Sequence, residues 1–248
     1  LNKLCENSVF TVARLMTDNA VLRLRAERIA RATRPFLARG NRVKRCQSCL
    51  LPQKQCLCDT LQPATYRRRY RLLMYDTEPM KPSNTGRLIA DILPDTQAFQ
   101  WSRTAPEHAL LELVQNPDWQ PMVVFPASYA DSPRQVLTTP PTSGKPPLFI
   151  LLDGTWPEAR KMFRKSPYLD NLPVISVDLD KTSAYRLRES HGEGQYCTAE
   201  VAIALLELAG DIQASQSLTD HFVLFRERYL IEKPHHRVPV TAKSAESI

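Results

Sequence analysis

The sequence predicts an α/β domain in which a mostly parallel sheet is flanked by helices. Short apolar runs that suit strands alternate with amphipathic runs that suit helices over most of the chain. The 248 residues are 43% hydrophobic, which is enough for one large domain with a small appendage. No apolar run approaches the length of about 18 residues that a membrane span needs, so we expect a cytoplasmic protein without a membrane partner.

Hydrophobic periodicity and the residues that start and stop each run place the elements in order. A basic amphipathic helix is expected over residues 19–38, with Pro35 ending it. Strands are then expected at 71–75, 98–101, 122–125, 148–152 and 174–177. The intervening and following helices are expected at 84–93, 106–115, 157–165, 199–209 and 217–231.

Two long connections lack apolar periodicity. Residues 130–147 are rich in Pro, Ser, Thr and Gly and are expected to form a mobile surface loop. Residues 178–197 hold Tyr185 and Arg186, and long loops in compact domains are usually functional. The expected divisions are 1–15 as extra upstream residues, 16–62 as basic helix and Cys-rich segment, 66–233 as the α/β domain, and 234–248 as a flexible tail.

Positive charge is concentrated at the front of the chain. The formal net charge is +7, and the stretch from Arg23 to Arg45 carries nine basic residues against one acid, Glu27. Each Arg or Lys that contacts a phosphate releases counterions, so this cluster favours a polyanion such as RNA. A solvated helix face is the alternative interpretation. The candidate RNA-binding residues here are Arg28, Arg31, Arg34, Lys44 and Arg45.

A polar segment of 13 residues contains four cysteines, Cys46, Cys49, Cys56 and Cys58. Four converging thiolates satisfy tetrahedral zinc, and so polar a segment needs a metal to hold its shape. The spacing between the last two cysteines is tighter than usual. Disulfides are the competing interpretation, but no signal peptide is recognisable and two other cysteines are left over. We therefore predict a structural zinc knuckle.

The sharpest candidate for chemistry is Asp153, which opens the tetrapeptide Asp-Gly-Thr-Trp at 153–156. It follows a buried apolar run and precedes a helix, which is the place where open α/β sheets bind ligands. The plainer alternative is that Asp153 or Thr155 only caps the following helix.

Three further segments are expected at the same edge of the sheet. Ser83, Asn84 and Thr85 are candidate caps of a helix whose free N–H groups could bind an anion. Pro126 begins a turn after the central strand, and Thr198 is a candidate cap of a late helix. The glycine patterns of nucleotide-triphosphate and dinucleotide loops are absent from a chain with seven glycines.

Taken together and in this order, the motifs resemble the DTW-domain family, which is named for an Asp-x-Thr-Trp motif, and within it the bacterial tRNA-modifying members. The resemblance rests on the four cysteines, Glu78-Pro79, Asn84-Thr85-Gly86, Pro126-Ala127 and Asp153-Gly154-Thr155-Trp156. It implies a SPOUT-like fold, knotted in its C-terminal part, although general topology rules disfavour knots. It also implies transfer of the 3-amino-3-carboxypropyl group of S-adenosylmethionine to N3 of a uridine in the tRNA variable loop.

The resemblance also suggests a role for each site residue. Asp153 would accept the N3 proton, helped by a pKa that partial desolvation beside Trp156 raises. No catalytic metal and no DNA partner are expected. The carboxylate of the co-substrate would either rest on the helix start at Asn84-Thr85-Gly86 or be paired by Arg87 or Arg186. The set expected around S-adenosylmethionine is Glu78, Asn84, Thr85, Gly86, Pro126, Ala127, Thr155, Trp156, Arg186 and Thr198. The tRNA phosphates would lie on the basic helix, the knuckle, Arg67, Arg68 and Arg69.

Two other functions remain open at this point. One is a SPOUT-like RNA methyltransferase, which would use the same co-substrate and transfer a different group. The other is a non-enzymatic, zinc-containing RNA-binding protein in which Asp153 is only a cap.

Overall fold

A six-stranded parallel sheet forms the centre of the molecule. The structure, a computed structural model, describes residues 19–34, 36, 43–177 and 196–231. The strands in this part are β1 (Arg69–Met74), β2 (Gln97–Gln100), β3 (Gln120–Val124), β4 (Val136–Leu137), β5 (Pro147–Asp153) and β6 (Val174–Ile175). Their order is β2-β1-β5-β3-β6-β4, and every neighbouring pair is parallel. The predicted α/β class with a mostly parallel sheet is confirmed.

The helices connect these strands and cover both faces of the sheet. They are α1 (Ala20–Ala30), α2 (Gly86–Ile92), α3 (His108–Gln115), α4 (Trp156–Arg164), α5 (Thr198–Leu208) and α6 (Ile212–Leu230). None of the helices in the described part is both long and apolar enough to cross a membrane. Each predicted helix is present, although the ends of α1 and α6 differ from the prediction.

The two displaced ends have physical causes. Helix α1 ends at Ala30, before the predicted Pro35, and all its buried residues lie in its first half, so packing stabilises its second half little. Helix α6 begins before the predicted residue 217 because Gly210, with φ of 78°, ends α5. The N–H of Gly210 bonds to the carbonyl of Glu207 and that of Asp211 to the carbonyl of Leu206. This Schellman motif starts α6 at once.

Strand β4 lies inside the segment that was predicted to be a surface loop. Val136 and Leu137 pair with Val174 and Ile175 of β6. The prediction of an unstructured connection over 130–147 was wrong at these two residues, since a two-residue strand is too short to show periodicity. The expected knot depends on residues 178–195, which lie outside the described residues, so it stays a prediction.

Strand β5 is the centre of the core. All seven of its residues are buried, as expected for a strand covered on both faces. Phe149 and Leu151 point into a cluster with α1, α2, α5 and α6, whereas Leu148 and Ile150 point into a second cluster with α3 and α4. The register pairs Met74 with Asp153, so β1 and β5 end side by side. Functional groups that follow these strands therefore meet at one edge.

Candidate active site

Asp153 ends β5 in a buried cage of polar side chains. Its side chain is almost fully enclosed, with the residue 2% exposed. Oδ2 accepts a hydrogen bond from Nδ2 of Asn84 at 2.7 Å, and Oδ1 accepts one from the hydroxyl of Thr198. The carboxylate therefore joins three elements: β5, the start of α2 and the start of α5.

Thr155, and not Asp153, caps α4. The N–H of Thr155 donates to Oε2 of Glu158 at 2.7 Å, and Thr155 is the residue that precedes the first turn of α4. This pair closes the helix start with the reciprocal geometry of a capping box. The alternative in which Asp153 is only a helix cap does not agree with this geometry, whereas the capping role of Thr155 does.

Asn84 is fixed in orientation by three hydrogen bonds. Its Oδ1 accepts from the N–H of Arg87 at 2.9 Å, which caps α2. Its Nδ2 donates both to Asp153 and, at 3.2 Å, to Oε2 of Glu78. The amide therefore bridges two carboxylates, and Glu78 in turn forms an ion pair with Lys81. A single Asn thus connects the cap of α2 with both acids of the site.

The close approach of α2 to Asp153 requires a glycine at position 86. A Cβ on Gly86 would lie 2.5 Å from Oδ2 of Asp153 and 3.0 Å from its Cγ. The first distance is shorter than real Cβ contacts and the second is at their lower limit, so a side chain at this position would displace the carboxylate. The sequence drew attention to Gly86 through the tripeptide Asn-Thr-Gly, but only the structure shows why a glycine is needed there.

The environment of Asp153 changes its acidity. Burial raises the pKa of Asp153 to about 6, and the charge of Glu78 adds to the increase. The hydrogen bonds from Thr198 and Asn84 and the charge of Lys81 act in the opposite direction. Desolvation was expected from the sequence, whereas the contribution of Glu78 was missed. A carboxyl group with this pKa is a stronger base than an ordinary Asp and is still mostly ionised above neutral pH.

A cavity of about 400 Å³ opens beside Asp153. This size falls in the range that small-molecule sites usually have. Glu78, Lys81 and Asp153 supply charged groups to its lining, and Val124, Leu151 and Val177 supply apolar surface. It can therefore hold a ligand that combines an apolar ring with charged groups.

Trp156 forms an aromatic wall of this cavity. Its ring stacks on Phe125 with centroids 5.6 Å apart and an interplanar angle of 11°. Tyr129 packs edge-on against the same ring at 5.6 Å. Trp156 is thus partly a core residue, yet it remains half-buried and lines the cavity. The position of Trp156 is compatible both with stacking on a ligand and with packing in the core.

Comparison with known proteins identifies the family. The family model described as the DTW domain matches residues 43–230, from the cysteine segment through α6. The chain belongs to the DTW-domain family. No solved structure matches this DTW protein.

Two curated relatives are named tRNA-uridine aminocarboxypropyltransferase 2. The protein from Drosophila melanogaster is 25% identical over 177 residues, which cover 67% of this chain and 68% of the relative. The protein from Mus musculus is 26% identical over 181 residues, which cover 70% of this chain and 60% of the relative. The matches thus leave about a third of the fly relative and about two fifths of the mouse relative uncovered.

Most of the residues expected around the co-substrate converge on the cavity of the DTW domain. Those that line it are Glu78, Asn84, Thr85, Pro126, Thr155, Trp156 and Thr198. Gly86 lies directly behind Asp153. Ala127 is not part of the lining, and its N–H donates to the hydroxyl of Ser176 at 3.0 Å. Arg186 lies outside the described residues, so its role stays a prediction.

Two expectations about individual side chains were wrong. Arg87 does not face the cavity, because it is buried in an ion pair with Asp91 on the other side of α2. Thr198 does not cap α5, because Cys197 precedes the helix and its N–H donates to Oε2 of Glu200 at 2.7 Å. The helix begins one residue earlier than predicted, at Thr198, and the Thr198 hydroxyl donates to Asp153 instead of capping the helix.

The structure adds cavity residues that the sequence analysis did not select. These residues are Lys81, three positions after Glu78, and Cys197, which directly precedes α5. Burial raises the pKa of Cys197 to about 12, so its thiol stays neutral at physiological pH. Lys81 could have been noticed from its spacing of three residues from Glu78, which suits an ion pair in a helical turn.

The four predicted metal ligands converge. All four sulfur atoms lie within 4.8 Å of one another. The Sγ atoms of Cys46 and Cys58 are 3.7 Å apart, as are those of Cys49 and Cys56. A tetrahedral ion with bonds of about 2.3 Å needs sulfur atoms separated by roughly 3.8 Å. The group can therefore hold a metal ion with little movement.

The charge state of these thiols depends on whether a cation lies between them. A hydrogen bond from the Cys58 thiol lowers the pKa of Cys49, and donating that bond raises the pKa of Cys58. Burial likewise raises the pKa of Cys56. Without a cation, the cluster therefore resists the formation of several thiolates, which a divalent ion would allow.

Many of the predicted RNA-binding arginines have partners within the protein. Arg28 donates to both oxygens of Asp76 at 2.7 and 2.9 Å. Arg69 pairs with Asp95, and Arg68 lies 3.8 Å from Asp211. Arg31 bonds to Gln100, and Arg45 to the carbonyl of Leu50. Arg34, Lys44 and Arg67 are exposed. The partner acids lie far away in sequence, so local charge counting could not show them.

Replacement of Gly86 by Ala tests the packing of Asp153. The added Cβ would collide with the carboxylate, so we expect Gly86→Ala to lower the free energy of unfolding by about 1–3 kcal/mol in denaturant titrations. The matched background is Asp153→Ala, which removes the colliding atoms. In that background the same substitution should cost less than about 0.5 kcal/mol. Equal costs in both backgrounds would show that the contact with Asp153 is not the reason for the glycine.

Proposed function

We propose that this protein is an S-adenosylmethionine-dependent tRNA-uridine aminocarboxypropyltransferase. It would transfer the 3-amino-3-carboxypropyl group to N3 of a uridine in the tRNA variable loop. Membership of the DTW-domain family and the names of the fly and mouse relatives support this reaction. The observation that carries the proposal is the position of Asp153, which is buried at the carboxyl end of β5 and lies beside a cavity large enough for a small ligand. A tRNA substrate would place the protein in the cytoplasm.

The cavity suits S-adenosylmethionine in charge and in polarity. When bound, this co-substrate would supply a carbon atom that its positively charged sulfur activates for attack by N3 of the uridine. The carbon–nitrogen bond would form as the carbon–sulfur bond breaks, and the sulfur would leave with the electron pair as neutral methylthioadenosine. Two acids, Glu78 and Asp153, offer negative charge to a cationic ligand, while Lys81 offers positive charge to a carboxylate. Trp156 and the apolar lining offer a surface for an aromatic ring. Positioning by these groups would supply a large part of the rate acceleration.

Asp153 is the group that would take the N3 proton of the uridine. Each of its oxygens accepts one hydrogen bond from the protein and keeps a further lone pair. Asn84 and Thr198 would hold the carboxylate in place and would not exchange protons with the base. Because the pKa is about 6, the carboxylate is ionised at neutral pH and binds a proton more readily than an ordinary Asp.

The cysteine cluster has a structural role in this proposal. We assign zinc to it, because four thiolates at these separations match the geometry of structural zinc sites. The cluster packs against the core near α6, and Arg228 of α6 donates to the carbonyl of Cys56. Zinc would therefore fix the knuckle against the catalytic domain and would take no part in the reaction.

Asp153→Asn removes the base and keeps the size of the side chain. We expect the rate of uridine modification to fall at least about 100-fold, because general base catalysis commonly contributes that much. Nucleoside analysis of tRNA by mass spectrometry after a timed reaction measures this loss. The control is Asp118→Asn at an exposed position, which should keep the wild-type rate. A folded Asp153→Asn protein with normal activity would contradict the assignment, and a methyl group on the product would indicate a methyltransferase.

The pH dependence of kcat/KM should report the base. Activity should fall as the pH decreases through about 6, because protonation of Asp153 removes the proton acceptor. Glu78→Gln removes a negative charge that raises the pKa of Asp153, so the acidic limb should shift to lower pH. Gln keeps an oxygen for the hydrogen bond from Asn84. An acidic limb that does not move in Glu78→Gln would rule out the proposed coupling of the two acids.

The zinc assignment predicts about one zinc ion per chain by elemental analysis. Cys58→Ser should lower the zinc content and the melting temperature, because a ligand of the knuckle is lost. The control is Cys197→Ser, whose sulfur lies outside the cluster and which should keep its zinc. Full zinc content in Cys58→Ser would exclude the four-cysteine site.

A further inference from the structure

Helix α4 presents a basic face to the solvent. The face consists of Arg160, Lys161, Arg164 and Lys165, the last being the residue that ends the helix. Their spacing of one and four residues places all four on one side of a helix. The opposite side is buried in the core through Ala159, Met162 and Phe163. This basic face of α4 runs for roughly 9 Å, which corresponds to two or three phosphates of one strand.

Aromatic rings hold the first two cations of this face. The ammonium of Lys161 lies 5.5 Å from the ring centroids of both Tyr75 and Trp101 and donates to the Tyr75 hydroxyl at 3.2 Å. The guanidinium of Arg160 lies 5.2 Å from the ring centroid of Tyr129. A cation–π contact fixes the position of a cation without cancelling its charge. The face is therefore both ordered and positive.

The other two cations are not neutralised either. Arg164 and Lys165 are exposed, and their side chains form no hydrogen bond or ion pair with any other described residue. This differs from Arg28, Arg68 and Arg69, which pair with Asp76, Asp211 and Asp95 respectively. Helix α4 thus carries four positive charges within six residues, and no ion pair with a described residue neutralises any of them.

The basic face of α4 begins at the rim of the cavity. Tyr129, which supports Arg160, packs against Trp156 of the cavity wall. Tyr75, which supports Lys161, donates its N–H to the carbonyl of Asp153 at 2.9 Å. A single aromatic residue therefore connects each of the two ordered cations to a residue that lines the cavity: Tyr129 connects Arg160 to Trp156, and Tyr75 connects Lys161 to Asp153. A polyanion bound along α4 would reach from Lys165 to the cavity wall at Trp156, where the helix begins.

We propose that the basic face of α4 binds the tRNA backbone next to the target uridine. This assignment rests on the transferase function proposed above, which requires a polyanionic substrate whose base enters the cavity. A variable-loop base can leave its stack at low cost, so binding of the flanking phosphates on α4 is sufficient to present it. The positive charge of this face and the contacts of Tyr129 and Tyr75 with Trp156 and Asp153 support the assignment.

Equilibrium binding of unmodified tRNA at several salt concentrations tests the assignment. Arg164→Glu and Lys165→Glu should each raise Kd about 5- to 10-fold and reduce the slope of log K against log salt by about one. Arg164→Lys keeps the charge and should bind nearly as the wild type does. The matched control is Lys145→Glu, which reverses the charge of an exposed residue. This residue lies next to the amino end of β5, at the opposite edge of the sheet. The substitution should change Kd less than about twofold.

Wild-type tRNA affinity in both α4 variants would overturn the assignment. It would also be overturned if Lys145→Glu weakened binding as much, or if only Arg34→Glu at the front of the chain did so. Titration with S-adenosylmethionine should give the same affinity in the α4 variants as in the wild type, since the substitutions lie outside the cavity. If α4 variants lose tRNA affinity but the wild type forms no aminocarboxypropyl product, the binding face stands and the proposed reaction fails. If the product forms and the α4 variants bind tRNA normally, the proposed reaction stands and the binding face fails.

Discussion

The buried carboxylate of Asp153 is the interaction on which the site depends. Three elements distant in sequence meet at it, since Asn84 lies just before α2, Thr198 begins α5 and Asp153 ends β5. A buried carboxylate is stable only when hydrogen bonds replace its lost hydration. The same contacts that satisfy this requirement also place the two helices against the sheet. The architecture of the cavity and the orientation of the proposed base therefore have one physical cause.

Electrostatics divides the site into an acidic interior and a basic rim. Inside, Glu78 and Asp153 lie close enough that one raises the pKa of the other, and Asn84 bridges them. Outside, Lys161 and Arg160 lie over aromatic rings beside the cavity wall. A cationic co-substrate and a polyanionic tRNA would thus be attracted to different parts of one site. This separation agrees with a reaction between two substrates of opposite charge.

The sequence predicted the features that depend on local pattern. Strand β5 was clear because a fully buried strand is a continuous apolar run, and Asp153 followed from its end. The features that failed depend on distant partners. Arg28 looked like a free cation until the structure placed Asp76 beside it, and the two-residue strand β4 forms only because β6 is adjacent. The reason for Gly86, contact with Asp153, joins segments about 70 positions apart and was equally invisible.

A direct titration of the Asp153 carboxyl tests the central claim. Carbon-13 NMR of the side-chain carboxyl groups can follow it in the folded protein, and its signal is assigned by its loss in Asp153→Asn. Burial and the charge of Glu78 predict a midpoint of about 6. A midpoint at or below the ordinary Asp value of about 4 would contradict the account, because the carboxylate would then be too weak a base for the proposed role.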